Sequence, residues 1–212
     1  MFSLLDLLFP KVSLSGREGE WVTSEEMAEI RSYPIRIEQN VLRERRLRSL
    51  DRIVAASTYD ASPMLRTAVQ RFKYGKVSAL QNPLGLLLVE ASKLLTEYTD
   101  TVLCPVPLHW TRRFSRGFNQ SQLLAMVVST ARGWPMQNFL VRTRPTGHQA
   151  HRPRKERLTA MHGMFRVTAS PVPAHIVLVD DIATTGATLD ACAKALKDAG
   201  AQHVEALVIA QG

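Results

Sequence analysis

The run Ile176-Val177-Leu178-Val179-Asp180-Asp181-Ile182-Ala183-Thr184-Thr185-Gly186-Ala187-Thr188 constrains this chain more than any other segment. Residues 176–179 are apolar and mostly β-branched, the pattern of a buried strand. That strand ends in two adjacent carboxylates, and a loop of small and hydroxyl-bearing residues follows. Leu189, Cys192, Ala193 and Leu196 then recur at helical spacing, with Gly200 standing where a helix over 187–199 would stop. In an open α/β sheet, ligands bind just past the carboxyl ends of strands. The first turn of a helix leaves backbone N–H groups unpaired and carries partial positive charge, which suits a phosphate. Ala183, Gly186 and Ala187 let the backbone come close, while Thr184, Thr185 and Thr188 offer hydroxyl donors. Asp180 and Asp181 repel a phosphate, but they suit sugar hydroxyls, or Mg²⁺ held directly or through water. A phosphate and a diol within one short segment describe a ribose 5-phosphate.

Three plainer readings compete. An acidic pair ending a strand also occurs in receiver domains, and an Asp-x-Asp-x-Thr pattern marks some phosphotransferases. Neither normally continues into Thr-Thr-Gly-Ala-Thr. The third is a threonine-capped helix beside two solvated aspartates.

With 212 residues, the chain is long enough for one α/β domain with an elaboration. Apolar residues make up 45% and charged residues 22%, values that argue against wholesale disorder. Cys104 and Cys192 sit in apolar patterns and read as reduced core residues. The opening Met1-Phe2-Ser3-Leu4-Leu5-Asp6-Leu7-Leu8-Phe9-Pro10 has no basic leader and no small-residue cleavage site, so no signal peptide and no membrane span are expected. The cytoplasm is the expected compartment.

The net charge of +8 is concentrated. Residues 142–166 carry seven basic side chains against Glu156 alone, and residues 41–52 carry five arginines against Glu44 and Asp51. Such density fits a solvated face, a diphosphate substrate or a nucleic acid, and charge alone does not choose.

Residues 1 to about 50 show no sustained period and read as a small N-terminal appendage, with a main domain over 51–212. A strand is expected over 52–59, a helix carrying Leu65, Ala68, Val69 and Phe72, and a second helix over about 84–98. A strand over 101–104 should stop at Pro105-Val106-Pro107. A helix over about 119–132 and short strands near 139–142 and 164–167 precede the signature, and a last strand covers 203–210. Alternating strands and helices predict a mainly parallel α/β sheet with crossovers. Neither Gly-x-Gly-x-x-Gly nor a Walker Gly-Lys-Thr is present.

Two further segments carry chemistry. Pro105-Val106-Pro107-Leu108-His109-Trp110-Thr111-Arg112-Arg113-Phe114-Ser115-Arg116-Gly117-Phe118-Asn119-Gln120 places three arginines after a strand, suited to a second phosphate. The bland alternative is a basic loop with Asn119 as a helix cap. Residues 144–158 are too long and polar for a routine connection, and a cationic lid over pyrophosphate is one reading. A solvated basic loop is the other. His148, His151 and His162 lack the neighbours of a metal site.

Pro105-Val106-Pro107-Leu108, Arg116-Gly117-Phe118-Asn119-Gln120, Thr146 with Gln149, Glu156-Arg157-Leu158 and the 176–188 signature occur together and in order. The signature resembles the ribose-phosphate motif of type I phosphoribosyltransferases, and the set resembles the ComF family, with its GntX-like members linked to competence and DNA utilisation. Phe72-Lys73-Tyr74-Gly75 matches a family segment upstream. The resemblance covers roughly residues 50–212, and weakly the N-terminus through Leu8-Phe9-Pro10 and Gly16-Arg17-Glu18-Gly19. Family members commonly open with a zinc ribbon built from Cys-x-x-Cys pairs. Val12 and Ser15, then Thr23 and Glu26, stand at those positions here, so no structural zinc is expected. Arg152 and Ala160 replace a common Leu and Asn in the basic segment, which changes the lid.

The resemblance implies a type I phosphoribosyltransferase fold: a twisted, mainly parallel sheet flanked by helices, with a degenerate N-terminal appendage. It implies phosphoribosyl pyrophosphate with Mg²⁺ as ligand and transfer of ribosyl 5-phosphate to a nitrogen acceptor. Asp180 and Asp181 would hold the ribose hydroxyls, and residues 183–188 would cradle the 5-phosphate. Lys73, Pro107, Leu108, Arg112 and Arg116 would complete the substrate site. The alternative is a nucleotide-sensing or DNA-uptake accessory without turnover. Direct nucleic-acid binding is weaker, because the basic segments lack interleaved aromatics. A homodimer is compatible with either reading.

Overall fold

The computed structural model describes residues 11–30, 32–75, 77–108, 117–143 and 163–212. The first half holds α1 (Ser24–Glu29), β1 (Ile35–Glu38), α2 (Gln39–Glu44), β2 (Arg52–Thr58), α3 (Pro63–Tyr74), α4 (Gln81–Ala91) and β3 (Val102–Pro105). The second holds α5 (Gln120–Arg132), β4 (Leu140–Arg142), β5 (Phe165–Val167), β6 (His175–Ala183), α6 (Ala187–Asp198) and β7 (His203–Gln211). Five strands form one sheet in the order β1-β2-β7-β6-β3, with β4 and β5 as a separate antiparallel pair. Only β1 runs antiparallel in the main sheet; β2, β7, β6 and β3 are parallel. The expected α/β architecture is therefore present.

Both faces of the sheet are covered, which is why its strands read as unbroken apolar runs. On one face Ile53, Ala55, Ile176, Leu178, Val204 and Ala206 share a core with Leu189, Cys192, Ala193 and Leu196 of α6. On the other, Val54, Ala56, Val177, Val179, Leu207 and Ile209 pack with Phe72 of α3, Leu88 of α4 and Val128 of α5. The period of 2 along the strands divides these two sets. Local signals place the helix ends. Ser62 Oγ accepts from the amides of Met64 and Leu65, with Pro63 opening α3. Asn119 Oδ1 accepts from Ser121 N, and α5 ends at Gly133 in the left-handed region (φ 68°). Cys104 and Cys192 are buried free thiols, as expected.

Three expectations change. The signature strand does not stop at Val179; it continues to Ala183, because β7 runs alongside as far as Gln211 and keeps it paired. The second helix ends at Ala91, not near residue 98: the chain tightens into a 3₁₀ turn over Ser92–Leu94, after which Thr96 N donates to Glu205. The described residues before 51 are more than an appendage. They supply the outer strand β1, put Ile37, Leu42, Leu47 and Leu50 into the α6-side core, and add Leu14 and Ile30 to the other. A four-residue strand and a six-residue helix are too short to show a hydrophobic period. Among the described residues, no helix is long and apolar enough to cross a membrane.

Candidate functional site

Four parallel strands deliver their carboxyl ends to one edge of the sheet, and the chemistry-bearing motifs collect there. Asp180 and Asp181 follow the unbroken buried run of residues 175–179 in β6. Asp180 Oδ1 accepts from Ser121 Oγ at 2.8 Å and from the Asp181 amide at 2.9 Å. Asp181 is only 7% exposed and pairs with Lys73 of α3, Nζ to Oδ1 3.0 Å. The acidic pair is therefore gripped from two helices, α3 through Lys73 and α5 through Ser121. These contacts argue against the plain reading of two solvated aspartates.

The flanking motifs brace this arrangement. Asn119 Nδ2 donates to Val106 O at 3.2 Å, fixing the start of α5 to the chain just beyond β3. Gln120 Nε2 donates to Phe72 O at 3.4 Å, and the rings of Phe118 and Phe72 lie 5.6 Å apart. Phe72-Lys73 and Phe118-Asn119-Gln120, far apart in sequence, thus form one contact next to Asp181. Pro107 and Leu108 follow β3 at the same edge and are half-buried. Arg112, Arg116 and the basic stretch 144–162 lie outside the described residues.

Burial pushes the Asp180 carboxyl up to about 7, and the Asp181 charge adds to the effect. The Asp181 amide, the Ser121 hydroxyl and the Lys73 ammonium pull the other way. Among the described residues none donates to Asp180 Oδ2. One spare carboxylate oxygen beside a second acid fits Mg²⁺, which takes one or two carboxylates and otherwise keeps water and substrate oxygens. No group of three or more His, Cys, Asp or Glu among the described residues could cage a metal without such help.

Beyond β6, Thr184 is exposed while Thr185 and Thr188 are half-buried. Gly186 is the N-cap of α6, at φ 75°, and has no side chain to cap the helix. Thr185 Oγ1 accepts weakly from Ala187 N at 3.4 Å. Among the described residues the amides of Thr188 and Leu189 have no acceptor, which leaves the start of α6 open to an outside one. Gly186 is required twice over. Its φ disfavours a side chain, and a Cβ there would lie 2.6 Å from Leu47 Cδ1.

Local sequence reading did not find three features here. Ser121 sits two residues past the Asn119 cap, a position from which its role was legible. Ser57 Oγ is buried with no hydrogen-bond partner among the described residues, in a strand position beside Ala210, itself paired with Ile182. The turn at 43–48 lies against Gly186 through Leu47, a contact between distant segments that leaves no local pattern.

Residues 91–212 match the phosphoribosyl transferase domain family. The chain is 32% identical over 160 residues to the DNA utilization protein YhgH of Salmonella typhi, covering 73% of this chain and 69% of that one. It is 31% identical over 151 residues to the competence protein ComFC of Streptococcus pneumoniae, covering 71% and 64%. Competence protein F of Haemophilus influenzae is 28% identical over 149 residues, covering 66% and 65%.

Proposed function

Since this chain belongs to the ComF-like group of proteins with a phosphoribosyltransferase domain, we propose that it binds phosphoribosyl pyrophosphate with Mg²⁺ at the edge formed by residues 180–188 and transfers ribosyl 5-phosphate to a nitrogen acceptor. The observation that carries this reading is the acidic pair held from two helices beside a glycine-capped helix start with open amides. In the transfer, the bond from C1 to a pyrophosphate oxygen breaks, and its electron pair leaves with pyrophosphate. A bond from C1 to the acceptor nitrogen forms, and the nitrogen's proton passes to solvent.

Each side chain has a task in that exchange. Asp180 and Asp181 accept hydrogen bonds from the ribose 2- and 3-hydroxyls and orient the ring. Lys73 keeps Asp181 in place and offsets its charge. Thr184, Thr185, Thr188 and the α6 amides hold the 5-phosphate, fixing the distance from phosphate to C1. The turn at Pro107-Leu108 faces the leaving group. Mg²⁺, when bound, supplies charge neutralisation for the pyrophosphate and would be held at Asp180 and Asp181.

Calorimetry with ribose 5-phosphate and with phosphoribosyl pyrophosphate plus Mg²⁺ tests the site. Thr185→Val should weaken both ligands, because the 5-phosphate is common to them. Asp181→Asn should weaken phosphoribosyl pyrophosphate by about ten- to hundred-fold, the loss of a charge-assisted hydrogen bond. Unchanged affinity in both variants, or no binding by the wild type, would sink the reading.

The names of the relatives favour a second reading, a competence or DNA-utilisation accessory that binds the ligand without turnover. Pyrophosphate release across a panel of bases separates the two. Release with one base supports the transferase, and ligand binding without release supports the accessory.

A further inference from the structure

The end of α2 and the turn that follows it, residues 43–48, carry Arg43, Arg45, Arg46 and Arg48 against a single acid, Glu44. Arg43, Arg46 and Arg48 are exposed and Arg45 is half-buried. Among the described residues none of the four pairs with a carboxylate, although acids elsewhere on the surface are paired, as in Arg36–Glu38 and Lys194–Asp198. The turn is nonetheless fixed in place. Leu47 is buried against Gly186, and Asp190 of α6 accepts from the amides of Ser49 and Leu50 at 2.7 and 3.1 Å. Arg46 adopts φ 65°, the only positive φ outside glycine among the described residues. Strain of that kind persists where the surroundings over-determine it, and it recurs at binding turns.

A cluster of guanidinium groups with no acidic partner among the described residues therefore stands beside the start of α6. A ribosyl 5-phosphate at residues 184–188 has its own donors in the α6 amides and the threonine hydroxyls, so these arginines exceed what that one dianion needs. The pyrophosphate side of the site follows β3, which lies across β6 from β7 and β2. The arginine turn leads into β2, on the opposite flank. An acceptor attacking C1 against the leaving group approaches from the flank away from pyrophosphate.

We infer that the 43–48 turn is a phosphate-binding subsite on the acceptor side, so that the acceptor is itself phosphorylated: a nucleotide, or a nucleotide unit within an oligonucleotide. Guanidinium forks bind such phosphates in bidentate fashion. The assignment to the acceptor side rests on the phosphoribosyl reading above.

The test compares the wild type, the triple variant Arg43→Gln, Arg46→Gln, Arg48→Gln, and a charge-matched control, Arg36→Gln, Lys93→Gln, Lys194→Gln, in the full chain. The probes are adenosine, adenosine 5′-monophosphate and a decameric oligothymidylate, with ribose 5-phosphate titrated separately. The expected result is tighter binding of the phosphorylated probes than of adenosine by the wild type and the control. That preference should fall at least about tenfold in the triple variant, with ribose 5-phosphate affinity and melting temperature unchanged. Which of the two phosphorylated probes binds identifies the source of the phosphate. Equal binding of adenosine and both phosphorylated probes by the wild type overturns the proposal, as does an equal loss in the control. Loss of ribose 5-phosphate affinity in the triple variant overturns it too, by assigning the arginines to the 5-phosphate. If the wild type ignores ribose 5-phosphate but loses phosphate preference in the triple variant, the phosphoribosyl reading fails and the anion subsite stands.

Discussion

At Asp180 the fold holds a carboxylate where burial and a second carboxylate both oppose its charge, raising it to about 7. A group raised in the folded state stabilises the protein below its unfolded value and loses that contribution as pH rises through the folded value. The wild type should therefore lose stability between about pH 4 and pH 7.5 on account of this side chain. The shift sets an upper bound of roughly 4 kcal/mol, and the partial exposure of Asp180 brings the expected figure to about 2 kcal/mol. Asp180→Asn keeps the oxygen that accepts from Ser121 and the Asp181 amide. Urea melts should show the variant more stable than the wild type at pH 8, with the gain vanishing near pH 4, while affinity for phosphoribosyl pyrophosphate drops. A variant no more stable at pH 8 would mean that the acid pair is relaxed in the free protein. Stability given up at a site that a ligand relieves is a recurring signature of function.

The N-terminal element of residues 11–30 is organised around one buried acid. Glu26 Oε1 accepts from Ser13 Oγ at 2.8 Å and Ser15 N at 2.6 Å, and Oε2 from Thr23 N at 2.9 Å and Leu14 N at 3.3 Å. Thr23 completes a capping box with the same residue. Burial alone would raise the Glu26 carboxyl, but the hydrogen bonds from Ser15, Thr23 and Ser13 bring it down to about 2. A lowered carboxyl contributes stability above its unfolded value and loses it as pH falls from about 4.5 toward 2. Glu26→Ala should cost about 2–3 kcal/mol at pH 7, with the difference from wild type shrinking as pH falls from about 4.5 toward 2. The same carboxylate joins the turn at 12–15 to the start of α1, the connection that thiolates and a metal would otherwise make. Elemental analysis should return no stoichiometric zinc, and a chelator should leave the melting temperature unchanged. One tightly held zinc per chain would overturn this account of the element.

Across the whole molecule, the two edges of the sheet are built oppositely. At the amino ends of the strands a buried network is closed. Glu205 accepts from Arg52 at 2.9 Å, from Thr96 Oγ1 at 3.0 Å, and lies 3.0 Å from His175 Nε2, while His175 Nδ1 lies 2.8 Å from Thr101 Oγ1. The Tyr98 ring covers His175, centroids 4.2 Å apart. These groups tie the starts of β2 and β6 and the approach to β3 together around β7. Burial raises the Glu205 carboxyl, but hydrogen bonds from His175 and Thr96 and the Arg52 charge hold it below the usual range. Glu205→Leu should cost about 3–5 kcal/mol at pH 7, because it removes the shared acceptor of Arg52, Thr96 and His175, leaving Arg52 only Glu38 and Thr96 and leaving His175 only Thr101. Acid should narrow that gap below about pH 4, as the wild-type carboxylate itself takes up a proton. Equal denaturation midpoints for the two proteins at pH 7 would show the network to be dispensable. The carboxyl edge keeps a raised acid and a Ser57 hydroxyl without a hydrogen-bond partner among the described residues.

From residue 52 onward the sequence by itself determined the succession of strands and helices, the cap at Asn119, the glycine of the signature and the acid pair, because each rests on residues within one turn or one strand of each other. It also carried Lys73 into the site, through a motif rather than a contact. Tertiary structure alone decided that Lys73 pairs with Asp181, that Ser121 bonds Asp180, and that β6 runs on past both acids. It alone brought the arginine turn onto Gly186 and drew Leu14, Ile30, Ile37, Leu42, Leu47 and Leu50 into the core. Those contacts join segments tens of residues apart, where a side chain's partner is set by packing and strand register, and no local period records it.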